Sequence, residues 1–154
     1  MPHSPFFPDS FYRITIKGLC VRDGKIMLIH ESKETMSDRW ELPGGGLDFG
    51  EDMREALRRE ISEEMGLKIK KMSEKPVYVW THRYEPNSRE IGWYYSLVLA
   101  YRIEFEDLNF TPTDSCDKIE FFSKEQLQSA TDLNGQTNEL ARIFNPDDFK
   151  EDFI

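Results

Sequence analysis

The sequence predicts an α/β fold, a mixed β-sheet covered by helices on its two faces. Three observations carry this expectation. The 154 residues fit one domain with one sizeable core. Runs rich in β-branched and aromatic residues stand before and after a central segment whose apolar residues recur four apart. No internal repeat and no linker interrupts the chain, so 1–154 is read as a single domain with an irregular arm at 1–10 and an acidic tail at 146–154.

The elements follow in order. Pro2, Pro5 and Pro8 break any period in the arm. Two strand-like runs, 12–21 and 25–30, flank the turn signal Asp23-Gly24 and read as a β-hairpin. "KETMSDRW" is polar and loop-like. In "WELPGGGLDFGE", Pro43 and the consecutive glycines Gly44, Gly45 and Gly46 break both periods, so an irregular loop is expected.

A helix is expected over 52–65, with Met53, Leu57, Ile61 and Met65 as its apolar stripe. Glu51 and Asp52 suit the positive end of its dipole, and Gly66 suits its end. "PVYVWTHRYE" and "WYYSLVLAYRIEF" read as two strands around the polar loop "EPNSREIG". "DKIEFFS" reads as a short strand. Ser123 is placed to cap a following helix, with Gln126 completing a capping box. A last helical piece, "QTNELARIF", ends at Asn145-Pro146, and the tail "DDFKEDFI" is expected to be loose or packed on a partner.

Charge narrows the function classes. The formal net charge is −9 and the pI about 4.9. This speaks against gripping a nucleic acid polymer through a basic surface. It leaves room for a small polyphosphate, provided that metal ions neutralise both sides. Of the two cysteines, Cys20 lies in an apolar run as a small core residue, and Cys20 and Cys116 have no metal-ligand spacing. A reducing cytoplasm is the expectation. The start "MPHSPFFPDSFYR" lacks the pattern of a signal peptide, and no run is apolar enough to span a membrane.

The helix region poses a question. Glu60, Glu63 and Glu64 fall within an arc of roughly 100°, where like charges repel by about a few tenths of a kcal/mol each in water. Burial raises that cost. A solvated face with partial repair by Arg58 and Arg59 is one answer. A set of hard oxygen ligands for Mg²⁺ or Mn²⁺ is the other. The preceding glycines favour the second, because they allow close approach and expose backbone carbonyls.

The residues that decide are Gly45, then Glu51, then Arg59-Glu60-Ile61-Ser62-Glu63-Glu64-Met65-Gly66-Leu67. This run resembles the Nudix box of the Nudix hydrolase family at every specified position. The upstream "WELPGGG" also resembles the run that precedes the box in many members. The resemblance implies an α/β/α sandwich with a mixed sheet. It also implies divalent-metal-dependent hydrolysis of a nucleoside diphosphate linked to another group. It assigns metal binding to Glu60, Glu63 and Glu64, with the carbonyl of Gly45 as a further ligand and Mg²⁺ or Mn²⁺ as the cofactor. Arg59 would orient the carboxylates through a salt bridge with Glu51, while Met53, Leu57 and Ile61 stay structural. The catalytic set is therefore Arg59, Glu60, Glu63 and Glu64. Glu60 or Glu64 can serve as general base, and so can a downstream acid, with Glu85, Glu90, Asp114 and Glu120 as candidates.

Substrate choice lies outside the box. Phe6, Phe7, Tyr12, Trp80, Tyr84, Trp93 and Tyr94 are available to stack on a base, with core packing as the competing role of each. Arg13, Arg83 and Arg89 are available for phosphates. Tyr84 stands about where family members acting on dinucleoside polyphosphates often carry a tyrosine. Pro86 lies a little beyond the proline that marks those acting on ADP-ribose. Nucleotide sugars, ADP-ribose, dinucleoside polyphosphates and nucleoside triphosphates all stay open as small-molecule partners, with no nucleic acid polymer, no membrane and a homodimer as the family's plausible assembly. The competing function is a nucleotide-binding regulatory module with this fold and no turnover. Its sign would be lost box carboxylates, and none is lost.

Overall fold

The computed structural model describes residues 11–32, 38–84 and 94–153. Phe6, Phe7, Glu85, Pro86, Arg89, Glu90 and Trp93, and the side chains of Tyr84 and Tyr94, lie outside the described residues. The chain runs β1 (Phe11–Leu19), β2 (Val21–Arg22), β3 (Lys25–His30), β4 (Trp40–Glu41), β5 (Gly44–Gly46), then α1 (Met53–Met65). It continues β6 (Ile69–Met72), β7 (Tyr78–Tyr84), β8 (Tyr94–Phe105), β9 (Lys118–Phe122), α2 (Lys124–Ser129), α3 (Gly135–Asn138) and α4 (Leu140–Ile143). A 3₁₀ turn, Pro146–Phe149, follows.

The larger sheet is mixed, as expected. β1 lies parallel to β8 and antiparallel to β5, while β6 and β7 both pair antiparallel with the long β8. A smaller sheet stands beside it, with β3 between β9 and the short β2 and β4. One core cluster packs Ile16, Met27 and Tyr101 against Leu57, Ile61 and Met65 of α1. The other packs Trp80 and Val98 against Leu127, Leu140 and Phe144 of the C-terminal helices. The sheets thus sit between α1 and α2–α4. Leu57 and Ile61 are fully buried, and each such side chain contributes about 1.5–3 kcal/mol.

The predicted hairpin is corrected. Only Val21–Arg22 pairs with β3, around Asp23-Gly24. The chain breaks at Cys20, whose carbonyl accepts from the Met27 N–H at 2.8 Å. The physical reason lies in burial: every residue from Thr15 to Cys20 is buried, so both faces of this strand are covered. Such a strand belongs inside a sheet, here between β5 and β8. Met53, placed in the apolar stripe, is 40% exposed. The glycine loop contains a three-residue strand, β5. The last helix is split at Glu139 into α3 and α4, and β6 is an addition.

The Gly66 end and the Ser123 capping box form as read, and Asp52, expected only to suit the dipole, caps α1 with its side chain. Asp52 accepts from the N–H groups of Arg54 and Glu55, Gly66 ends α1 at φ 68°, and Ser123 and Gln126 make the capping box. The tail, expected to be loose or on a partner, packs on its own chain. Phe149 is buried against Tyr78 and Phe144, and the Arg102 guanidinium stacks on Phe153 and donates to the carbonyls of Phe149 and Glu151. Among the described residues, no helix is long and apolar enough to cross a membrane.

Candidate active site

The site begins with Arg59, which projects from α1 and organises its acidic neighbours. Its Nε and Nη2 donate to the two carboxylate oxygens of Glu51 at 2.7 and 2.9 Å. This is the two-pronged geometry that suits a guanidinium. Nη1 donates to Glu60 at 3.0 Å and Glu63 at 3.2 Å, and Nη2 reaches the Gly46 carbonyl at 3.4 Å. The Arg59 guanidinium holds the Glu51 carboxyl below the usual carboxylate range. Asp48, unassigned by the sequence, joins this group: its N–H donates to Glu51 at 3.2 Å.

The glycine ribbon supplies the floor. The N–H of Leu47 donates to the Ile14 carbonyl and that of Gly18 to the Pro43 carbonyl. With Ile16 opposite Gly45 and Lys17 opposite Gly44, the antiparallel alternation turns the Gly45 carbonyl toward β1. The polar groups of Gly44 and the carbonyl of Gly46 turn away from β1. Gly44 sits so close to β1, at φ 125°, that a Cβ there would strike the Ile16 carbonyl. A Cβ on Gly45 would stand 2.6 Å from the Glu60 carboxyl, so Glu60 lies directly over this glycine.

Glu64 faces the other way. It is 8% exposed, and its Oε1 accepts from the Gly44 N–H at 2.8 Å. Burial pushes its carboxyl up to about 8, while Lys17 and the Gly44 N–H pull it down. Lys17 is itself buried, and its Nζ donates to the carbonyls of Leu42 at 3.0 Å and Gly44 at 3.1 Å. Glu41 adds negative charge near Glu64 and is held by Asn134 Nδ2 at 2.5 Å.

The structure thus divides the predicted acids. Glu60 lies on the ribbon, Glu63 points outward with 60% of its side chain exposed, and Glu64 points inward. Among the described residues, no three His, Cys, Asp or Glu side chains stand together as a ready ligand cluster. In kind, the donors fit a hard divalent cation. They are carboxylates of one helix beside a glycine cradle that a side chain would fill.

Other candidates separate by position. Asp114 is exposed in the loop whose Thr113 hydroxyl donates to the Glu64 carbonyl at 2.7 Å, so this loop abuts the carboxylate end of α1. Glu120 is exposed on β9, opposite Leu28. Trp80 is a core residue, with its indole N–H on the Gln136 carbonyl at 3.1 Å. Tyr12 is exposed and stacks on Tyr95, with ring centroids 5.4 Å apart. The Arg13 guanidinium lies over Gly46, next to the ribbon. Arg83 is exposed on β7. A cavity of about 630 Å³ lies elsewhere, among Ser73, Lys75, Arg102, Asp148 and Phe153, and no box residue lines it. Sequence reasoning missed Lys17 and Gly44. The available signal was a lone lysine within the apolar run "ITIKGLC".

The NUDIX domain profile matches residues 12–143. An ADP-ribose pyrophosphatase of Methanocaldococcus jannaschii is 33% identical over 109 residues, covering 64% of this chain and 64% of that protein. An RNA pyrophosphohydrolase of Ruthia magnifica is 39% identical over 62 residues, covering 40% of this chain and 34% of that one. The chain spans less than two thirds of the length of either curated relative. The crystal structure of a MutT protein from Methanosarcina mazei has the same fold, with a TM-score of 0.68 at 17% identity over 94% of this chain and all of that one.

Proposed function

The chain belongs to the Nudix family, and from that premise we propose a divalent-metal-dependent pyrophosphohydrolase that cleaves a nucleoside diphosphate linked to another group. One observation carries this reading: every acid of the box has a separate structural setting around the glycine ribbon. Glu51 is fixed on Arg59, Glu60 lies over Gly45, Glu63 is open to solvent, and Glu64 is buried on the Gly44 N–H. A merely solvated acidic face would show no such division.

Glu60, Glu63 and Glu64 would hold the cation, Mg²⁺ or Mn²⁺; the Gly45 carbonyl, expected as the further ligand, turns toward β1, and the Gly44 carbonyl, which turns away and also accepts from Lys17, would serve instead. When bound, the cation neutralises charge on the diphosphate and acidifies a water. Arg59 keeps Glu51, Glu60 and Glu63 in fixed relation. Glu64 and Glu60 are the candidate bases; burial disfavours the charged form of Glu64, and a cation bound beside it would favour that form again. Arg13, set over Gly46, is suited to meet a phosphate.

The net charge of −9 favours small nucleotides over nucleic acid polymers as substrates. Both cysteines are buried and free, which supports a reducing cytoplasmic setting. The test is a panel of nucleotide sugars, ADP-ribose, dinucleoside polyphosphates and nucleoside triphosphates. Phosphate release is read through a coupled phosphatase, with Mg²⁺ and Mn²⁺ compared. Turnover of at least one compound that stops on chelation is expected. Tight nucleotide binding with no turnover across the panel would instead establish a binding module.

A further inference from the structure

The sequence places one charged residue, Lys17, inside a run that is otherwise apolar or small from Ile14 to Cys20. Such a residue normally reaches water. Lys17 does not: it is 5% exposed. Taking an ammonium out of water is costly unless its protons are used. Both hydrogen bonds of its Nζ go to backbone carbonyls of one segment, Leu42 and Gly44. The segment is the ribbon on which Glu60 and Glu64 rest.

We propose that Lys17 is a positioning residue of the site: its ammonium straps the glycine ribbon to β1 and so holds Gly44 against Glu64 in the arrangement that receives the cation. Three features support it. The carbonyl of Gly44 that turns away from β1 is the one Lys17 takes, while the N–H of the same residue goes to Glu64. A single residue thereby links the lysine to the buried carboxylate. Lys17 also lies opposite Gly44 in the β1–β5 register, at a pair whose backbone groups exchange no hydrogen bond, so its side chain supplies the polar link from β1 to this glycine. Finally, Lys17 supplies the positive charge that most offsets burial at Glu64. Groups that orient a metal's ligands from behind commonly matter about 10- to 100-fold for metal affinity.

The part of this inference that concerns the cation rests on the proposed metal-dependent function, and the strap itself does not. The test uses the full chain with Lys17→Met and Lys17→Arg, and has two readouts. Binding of Mn²⁺ alone is followed by the electron paramagnetic resonance of the free ion. Hydrogen exchange at the Gly44 amide is followed by NMR in chelator, without metal. Lys17→Met is expected to weaken Mn²⁺ binding by about tenfold and to speed Gly44 exchange. Lys17→Arg, which keeps a charged donor, is expected to recover part of both.

Tighter Mn²⁺ binding in Lys17→Met would mean that the lysine competes with the cation, and overturns the proposal. Unchanged binding with unchanged exchange overturns it as well. If the wild-type chain binds no Mn²⁺, the metal reading falls, and Gly44 exchange decides the strap alone: faster in Lys17→Met upholds it, unchanged refutes it. Should Lys17→Met fail to fold, Lys17→Gln takes its place, with the same two readouts and the same results expected of it.

Discussion

Glu51 precedes α1 and Glu64 lies in its last turn, yet these two acids of one motif live in opposite surroundings. Glu51 shares the Arg59 guanidinium with Glu60 and Glu63, on a half of the site that stays partly wet. Glu64 faces the interior, held by the Gly44 N–H and steadied at a distance by Lys17. The wet half fixes its charges with a cation of the same helix. The dry half fixes its charge with backbone that has been laid down by another strand. Identical side chains can therefore differ in the ease with which they hold a proton, because burial and partners set their protonation.

The largest effect should come from neutralising acids of the two halves in turn. Glu64→Gln and Glu63→Gln are each expected to lower kcat by about a hundredfold or more, with the fold retained, as judged by circular dichroism and the panel assay. Full activity in either variant would remove that acid from the chemistry. Next come the glycines. Gly44→Ala in the dry half must strain a φ of 125° and strike the Ile16 carbonyl, whereas Gly50→Ala in the wet half meets only the strain of φ 83°. A loss of about 2–4 kcal/mol is expected for the first and about 1 kcal/mol for the second, measured by denaturant unfolding. Equal losses would show that the ribbon can move off β1.

The halves should also respond oppositely to pH in metal-free protein. Glu64 is raised on folding, so its stabilising contribution is complete below about pH 4.5 and fades as pH rises through about 8. Glu64→Gln should therefore flatten thermal stability between about pH 5 and 9. Glu51 is lowered, so its contribution is present above its unfolded value and is lost only on acidification. Glu51→Gln should change the acid limb alone. The smallest effect belongs to the pair of Arg59 with the exposed Glu63. Glu63→Gln is expected to alter metal-free stability by about 0.3 kcal/mol, and less at high salt. A larger shift would mean that the outward glutamate is held more firmly than its exposure implies.

How much of this was legible in the sequence depends on the range over which each signal acts. The Gly66 end of α1 and the Ser123 capping box were readable, because they join residues a few positions apart with fixed chemistry, whereas the Glu51–Arg59 bridge was implied by the resemblance to the family. The role of 12–19 was not. A run of strand residues beside Asp23-Gly24 reads as half of a hairpin. Its true partner, β8, is too distant for any local pattern to name it. Helical spacing put Glu60, Glu63 and Glu64 on one side of α1, but spacing is blind to burial, and the three point onto the ribbon, outward and inward. That Glu64 turns inward follows from a ribbon laid on β1, a tertiary fact. Lys17 was hidden for the same reason: a lysine in a strand says nothing of the carbonyls it will meet.

The parallel pairing of β1 with β8 also bears on how the chain is made. Phe11 lies opposite Tyr94. At about 5–20 residues per second on the ribosome, β1 waits on the order of 4–17 seconds for that neighbour to be synthesised. β5 is made much sooner and can occupy one edge of β1 in the meantime. The other edge stays open, with an apolar strand ready to pair with whatever is near. Crowded or fast expression should therefore be where this protein aggregates first, through β1, before its fold and its site exist.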